Sequence, residues 1–235
     1  MKVKILANTR KSWASSLSRS LSSFLRSHGI SISHSSADVT LCIGGDGTIF
    51  HYSYFGKTSG SILGIGSKTS SVCQFQHEKL SMSKLMSALN ANKTEKRLTL
   101  SVKLEGTGKS FHSLNDVVLH THDYRVITIS LEAGGKTYKF EGDGIILSTP
   151  TGTSAYCYSA GGDIIPRTER KIAIVPICPY KRSLKSLVVD GEKAEITISA
   201  NRTSDFIIDG IYVGRLQPET NLHILKGKDV EFLVV

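Results

Sequence analysis

Val39-Thr40-Leu41-Cys42-Ile43-Gly44-Gly45-Asp46-Gly47-Thr48 sets the architecture of the amino-terminal part of the chain. Five apolar or β-branched residues in a row are the pattern of a strand covered on both faces, as in a parallel sheet. They run straight into glycines, and residues 49–55 beyond them read as a helix. A buried strand that turns through glycines into a helix belongs to an open α/β layer, whose ligand crevice lies at the carboxyl ends of the strands. The flanking sequence agrees. Val3 to Ala7 reads as a strand, Trp13, Leu17, Leu21, Phe24 and Leu25 recur at helical spacing, and Gly29 stands where a left-handed helix cap is expected. Ile62-Leu63-Gly64-Ile65 repeats the buried-strand pattern one helix later. The serine-rich residues 12–36 carry the helical pattern, so helix is the stronger reading than disorder.

From about residue 93 the texture changes to alternation, as in Leu98-Thr99-Leu100-Ser101-Val102-Lys103-Leu104. Residues 126–131 and 137–140, joined by Ala133-Gly134-Gly135-Lys136, read as a hairpin. Further alternating runs lie at 194–199, 206–208 and 230–235. The expectation is an α/β amino-terminal domain over 1–92, a β domain over 93–222 and a closing strand in 223–235.

With 235 residues, 40% hydrophobic and 21% charged, the chain can bury a core and lies outside the disordered range. Its net charge of +9 sets the sign of its partners as anionic without naming them. A mean hydropathy of -0.05, with apolar runs of strand length, speaks against a membrane-spanning helix. Met1 to Ala7 is too short for a signal-peptide apolar region, so a cytoplasmic location is expected. The four cysteines lie far apart with no metal spacing and read as buried thiols.

Four stretches carry chemistry. Gly44-Gly45-Asp46-Gly47-Thr48 is either a tight turn or a phosphate cradle, since glycines let backbone approach an anion and a helix amino terminus presents free N–H groups. The acid within it would repel a phosphate unless it holds a divalent ion or accepts a proton from an attacking hydroxyl. No P-loop string occurs, and Gly-x-Gly-x-x-Gly is missing after the first strand, which weakens a dehydrogenase reading. Gly142-Asp143-Gly144 leads through an apolar strand into Thr149-Pro150-Thr151-Gly152-Thr153-Ser154-Ala155-Tyr156 and on to Ser159-Ala160-Gly161-Gly162. Such hydroxyls and small residues make either a plain loop or a polar wall for a nucleoside. Asn115-Asp116 is either a turn or a donor and acceptor set for a base or ribose. Asp209-Gly210 reads as a hairpin turn. His120 and His122 are two residues apart on a strand, but no third metal ligand is evident.

Taken together and in this order, these strings resemble the NAD kinase family. Thr-Pro-Thr-Gly is the specific one, because Gly44 to Thr48 alone is shared with lipid kinases. The resemblance implies phosphorylation of the 2′-hydroxyl of the adenosine ribose of NAD to give NADP. ATP or polyphosphate would be the donor, with Mg²⁺ or another divalent ion. It implies Asp46 at the attacking hydroxyl and Gly44, Gly45, Gly47 and Thr48 at the phosphates. Asn115, Asp116, Thr149, Thr153, Ser154, Ala155 and Tyr156 would hold the adenosine half, and Asp143 would meet the nicotinamide ribose. Phe75 and Asp209 are further candidates. A homodimer or homotetramer is implied, with no nucleic-acid partner.

The chain also departs from that pattern. It has Gly64-Ile65-Gly66 where an asparagine usually follows Gly-Ile, Gln74-Phe75 for Gly-Phe, Tyr180 for a common histidine, and Thr153-Ser154 permuted. A non-catalytic dinucleotide sensor and a diacylglycerol-type lipid kinase are the alternatives. The first keeps the adenosine wall without turnover; the second would need a lipid-facing apolar patch.

Overall fold

Val39–Ile43 is a strand with every residue buried, and Ser61–Gly66 is another. The structure, a computed structural model, describes residues 1–235. In chain order the first elements are β1 (Lys2–Ala7), α1 (Ser12–Ser27), β2 (Ser31–Ile32), β3 (Val39–Ile43), α2 (Asp46–Tyr54), β4 (Ser61–Gly66), β5 (Phe75–Gln76), α3 (Met82–Ala91) and β6 (Thr94–Arg97). The next are β7 (Leu100–Leu104), β8 (Ser110–Ser113), β9 (Asp116–Thr121), β10 (Ile127–Ala133), β11 (Lys136–Gly142), β12 (Gly144–Ser148) and β13 (Lys171–Ile177). The last are β14 (Leu187–Asp190), β15 (Glu195–Ala200), β16 (Ser204–Ile208), β17 (Ile211–Leu216), β18 (Leu222–Lys226) and β19 (Val230–Leu233). Two units result, residues 1–96 with 230–235, and residues 97–229.

The first unit is built on a sheet in the order β2-β1-β3-β4-β19-β6, with β5 beside β4. β1, β2, β3 and β4 pair in parallel, and β19 joins β4 in parallel. The apolar stripe of α1 does what its spacing predicts. Leu21 and Leu25 are fully buried against Val3, Leu41, Ile43, Leu63 and Ile65, with Leu85 and Leu89 of α3 in the same cluster. Trp13, Leu17 and Phe24 pack on it, half-buried. Gly29 has φ of +75° just past the end of α1. One boundary differs from expectation, since α2 starts at Asp46 rather than at Ile49. Gly44 and Gly45, at φ of +146° and +101°, complete the turn by themselves, which frees Asp46 and Gly47 to open the helix.

The second unit holds two six-stranded antiparallel sheets, β11-β10-β15-β18-β7-β8 and β14-β13-β12-β9-β16-β17. The β10–β11 hairpin turns on Gly134-Gly135, at φ of +58° and +72°, the left-handed pair that matches strand twist. Of the expected closing segment 223–235, β18 stays in the second unit, paired with β15 and β7, and β19 alone joins the first sheet. No helix is long and apolar enough to cross a membrane.

Candidate active site

In the first unit the chain steps from β1 outward to β2 and then back across β1 to β3. The order reverses between β1 and β3, and ligands of open α/β sheets bind outside the carboxyl ends at such a point. The glycine string leaves β3 there. Gly44 N and Gly45 N donate to Ile65 O at 2.9 and 3.3 Å, and Lys11 Nζ donates to Gly44 O at 2.8 Å. A Cβ on Gly44 would lie 2.4 Å from Thr48 Oγ1 and 2.6 Å from Asn8 Cβ, so glycine is required by space as well as by φ. Gly45, the N-cap of α2, makes no side-chain cap; Thr48 N donates to Gly45 O at 2.9 Å, which leaves the N–H groups of Asp46 and Gly47 for an anion. Thr48 is buried and its hydroxyl has no protein partner. Asn8, Thr9, Arg10, Gly47, Thr48, His51 and Tyr52 line a cavity of about 280 Å³ at this end.

Asp46 is half-buried at the start of α2 and turns its carboxylate onto the loop ahead of β5. Oδ2 accepts Ser71 N at 2.7 Å and Ser71 Oγ at 3.3 Å; Oδ1 accepts Val72 N at 3.0 Å and Cys73 N at 3.1 Å. Three successive backbone amides grip this acid. The hydroxyl bond is the longest of the four, and Ser71 is exposed.

In the second unit, three stretches singled out in the sequence converge. Asp209-Gly210 is the two-residue turn of the β16–β17 hairpin, both residues left-handed, at φ of +51° and +75°. The turn reading therefore holds, and the side chain does more. Asp209 is buried, and its carboxylate accepts Ser113 Oγ at 2.7 Å, Leu114 N at 3.0 Å, Asn115 N at 2.8 Å and Asp116 N at 3.1 Å. Those bonds shape the Asn115-Asp116 corner. The Thr-Pro-Thr-Gly segment is sewn to the same corner, with Thr149 N on Asn115 O at 3.0 Å and Thr149 Oγ1 on Leu114 O at 2.7 Å. A Cβ on Gly152 would lie 2.3 Å from Asn115 O, which explains the glycine.

Burial sorts the expected adenosine residues into two kinds. Thr149 and Thr153 are fully buried, and Thr153 Oγ1 donates to Pro150 O and accepts Ile165 N. Their hydroxyls are spent on the loop. Ser154, Ala155 and Tyr156 are exposed, on a helical turn broken at Ala155, whose φ is -109° and ψ -120°. Asn115 and Asp116 are buried side by side, Asn115 Nδ2 donating to Asp116 Oδ2 at 2.9 Å while Asn115 Oδ1 has no partner. Burial, and then the charge of Asp209, push the Asp116 carboxyl up to about 7. Asp209 is raised by burial too, against the pull of its donors. The Tyr156 phenol is raised, first by burial and then by electrostatic interaction with Cys178, Asp116 and Asp143.

Other expected residues lie apart from these groups. Phe75 opens β5 and packs on the first unit's core. His122 falls beyond the end of β9 and pairs with Asp205 at 3.0 Å, whereas His120 Nδ1 lies 2.9 Å from Thr121 O, so the two do not form a ligand pair. The cysteines are not all buried, since Cys73 is half-buried and Cys178 exposed. Cys42 and Cys157 are buried, with thiols pushed up to about 12 and about 11 by burial. Sequence reasoning missed Lys11, Ser71 and Ser113. Lys11 and Ser113 carry no motif, and their roles come from contacts at sequence distances of 33 and 96 residues, to the Gly44 carbonyl and the Asp209 carboxylate.

Comparison with known proteins bears on both units. Residues 114–234 match the family model of the ATP-NAD kinase C-terminal domain. An NAD kinase of Chloroherpeton thalassium is 30% identical, over 86% of this chain and 73% of the relative. One from Chlorobium limicola is 27% identical over the whole of this chain and 91% of its own length. Among solved structures, yeast NADH kinase complexed with NADH superposes with a TM-score of 0.84 at 18% identity, over 100% of this chain and 83% of that one. An NAD kinase from Archaeoglobus fulgidus in complex with ATP gives 0.79 at 20% identity, over 99% and 92%. At those identities the two structures establish a shared fold.

Proposed function

The chain belongs to the NAD kinase family, phosphotransferases, and we propose that it phosphorylates the 2′-hydroxyl of the adenosine ribose of NAD to give NADP. The observation that carries this reading is the acid at the opening of an uncapped helix, directly after two left-handed glycines. Phosphoryl transfer asks a protein for positioning and charge stabilisation more than for covalent chemistry. We assign the N–H groups of Asp46 and Gly47, with Gly44, Gly45 and Thr48, to the donor's phosphates. Asp46 takes the ribose proton as the new O–P bond forms and the donor's P–O bond breaks. Its four acceptor directions are occupied, so the ribose hydroxyl displaces the longest contact, that of Ser71 Oγ.

The adenosine half is assigned to the second unit. Asn115 Oδ1, unpartnered and beside Asp116, is an acceptor for an amino group of the base. Ala155 lets a flat ring approach, with Ser154 and Tyr156 beside it on the adenosine side, and Asp143 is assigned to the nicotinamide ribose. Thr149, Thr153 and Asp209 shape this wall. ATP or polyphosphate is the donor, and Mg²⁺ enters with it. Mg²⁺ is commonly shared between substrate phosphates and one or two carboxylates and keeps several waters. Asp46, spent on residues 71–73, suits a role toward a donor-borne ion better than that of a cage. The net charge of +9 favours these polyanionic ligands. A cytoplasmic homo-oligomer completes the proposal, and sedimentation reads its assembly. The deciding experiment incubates the purified protein with NAD, Mg²⁺ and either ATP or polyphosphate and measures NADP. Absence of NADP with every donor overturns the reading.

A further inference from the structure

Gln74 and Gly66 are two of the positions at which this chain leaves the NAD kinase pattern, and they flank the loop that holds Asp46, Gly66 as the last residue of β4 and Gln74 just ahead of β5. Gln74 Oε1 accepts Gly64 N at 2.7 Å, and Gln74 N donates to Gly64 O at 3.0 Å, so the residue is fastened to β4, every residue of which is buried. Its Nε2 donates to Val72 O at 3.4 Å. The carbonyl of Val72 and the N–H of Cys73 are the two ends of one planar peptide unit. The other end of that unit donates to Asp46 Oδ1 at 3.1 Å. The Gln74 side chain thus sets the plane of a peptide whose far side grips the acid.

Space for this arrangement comes from glycine. A Cβ on Gly66 would lie 2.2 Å from Ser70 Oγ, 2.6 Å from Ser70 Cβ and 2.9 Å from Cys73 Sγ. A side chain at 66 would lift the loop from the strand and carry the residue 71–73 amides away from Asp46. Ser70 Oγ also accepts Ser67 N at 3.2 Å, which closes the loop on itself.

We propose that Gln74 is a positioning residue for Asp46, acting through the Val72–Cys73 peptide, and that Gly66 is the vacancy that lets it act. The proposal rests on the reading of Asp46 as the acceptor of the ribose proton. Gln74→Glu tests it, because glutamate keeps the size and the acceptor for Gly64 N but turns the donor to Val72 O into a repelling oxygen. With one hydrogen bond at stake, kcat should fall about fivefold to tenfold while KM for NAD and for the donor stays within about twofold. In an Asp46→Asn background the same change should leave the residual kcat within about twofold, since there is no acid left to position. Gly66→Ala reaches the loop from the strand side and should show the same loss and the same disappearance. Thermal midpoints of all variants serve as the check on folding. An unchanged kcat in both variants overturns the proposal, and so do losses that multiply in the double variants, which is what a merely structural role gives. Asp46→Asn by itself reports on the parent reading: near wild-type turnover removes Asp46 from the chemistry, whereas a large loss with multiplying effects removes only Gln74.

Discussion

Two carboxylates in this molecule are each gripped by a run of successive backbone amides, and they differ in burial. Asp46 takes the N–H groups of residues 71–73 and is half-exposed at the mouth of a helix. Asp209 takes those of residues 114–116 and is 8% exposed, in the turn of a hairpin. The same device therefore serves two ends. Where the acid is buried, removing it leaves several donors without water or partner, and its worth is stability. Where it is open, water can replace lost bonds, and what remains to lose is chemistry.

Asp46→Asn is the strongest way to break that contrast. An amide keeps the size but cannot accept the ribose proton, and loss of a general base costs about two to four orders of magnitude in kcat. NAD affinity, read by calorimetry, should stay within a few-fold, and the thermal midpoint should move little. A loss under tenfold would leave Asp46 as an orienting group, no different in kind from Asp209.

Asp209→Asn should do the reverse. Its amide group cannot accept both the Ser113 hydroxyl and three N–H donors, so on the order of 2–4 kcal/mol of stability is at risk. For a chain of this size that is a drop in thermal midpoint of about 4–15 °C. The fraction that remains folded should retain most of its kcat. A variant that melts like the parent yet has lost turnover would place Asp209 in the chemistry and collapse the distinction.

Ala155→Leu probes a parallel contrast within the second unit, between hydroxyls buried in the loop and residues left open on it. Ala155 is exposed, so a larger side chain costs little stability there, while it fills space that a base would need. NAD affinity should weaken by about tenfold or more with an unchanged midpoint. Unaltered affinity would remove this segment from the dinucleotide wall.

The two regions also differed in how far the sequence could be read. The run Val39–Ile43 and its glycines announce themselves because a buried parallel strand and a phosphate-type turn are both local patterns. The hairpin at Gly134-Gly135 is equally local. The Asp209 contacts were not legible, because they join residues more than ninety positions apart, and a turn reading of Asp209-Gly210 was correct as far as it went. The start of α2 was misplaced by three residues for a related reason: glycines at positive φ do in two residues what the sequence pattern spreads over five. Thr149 and Thr153 look like ligand hydroxyls in a string of small polar residues, and only the fold shows that they bond to Leu114 O and Pro150 O.

A second buried acid, Asp116, gives the contrast a pH dependence. Its carboxyl is buried beside Asp209 and is raised from 3.8 to about 7, first by burial and then by that neighbouring charge. The native state therefore holds the proton more tightly than the unfolded chain does. Stability from this group is full below the unfolded value of 3.8 and is lost as pH rises through about 7. Asp116→Asn is neutral at every pH and should not share that decline. Its thermal midpoint relative to the parent should rise between pH 5 and pH 8, and a tenfold difference in proton affinity corresponds to about 1.4 kcal/mol. Asp209 titrates beside Asp116, so the difference between the two curves reports the pair through the loss of one member. A difference that stays flat from pH 5 to pH 8 would mean that Asp116 is ionised throughout, and that burial in this corner does not set the acid's state.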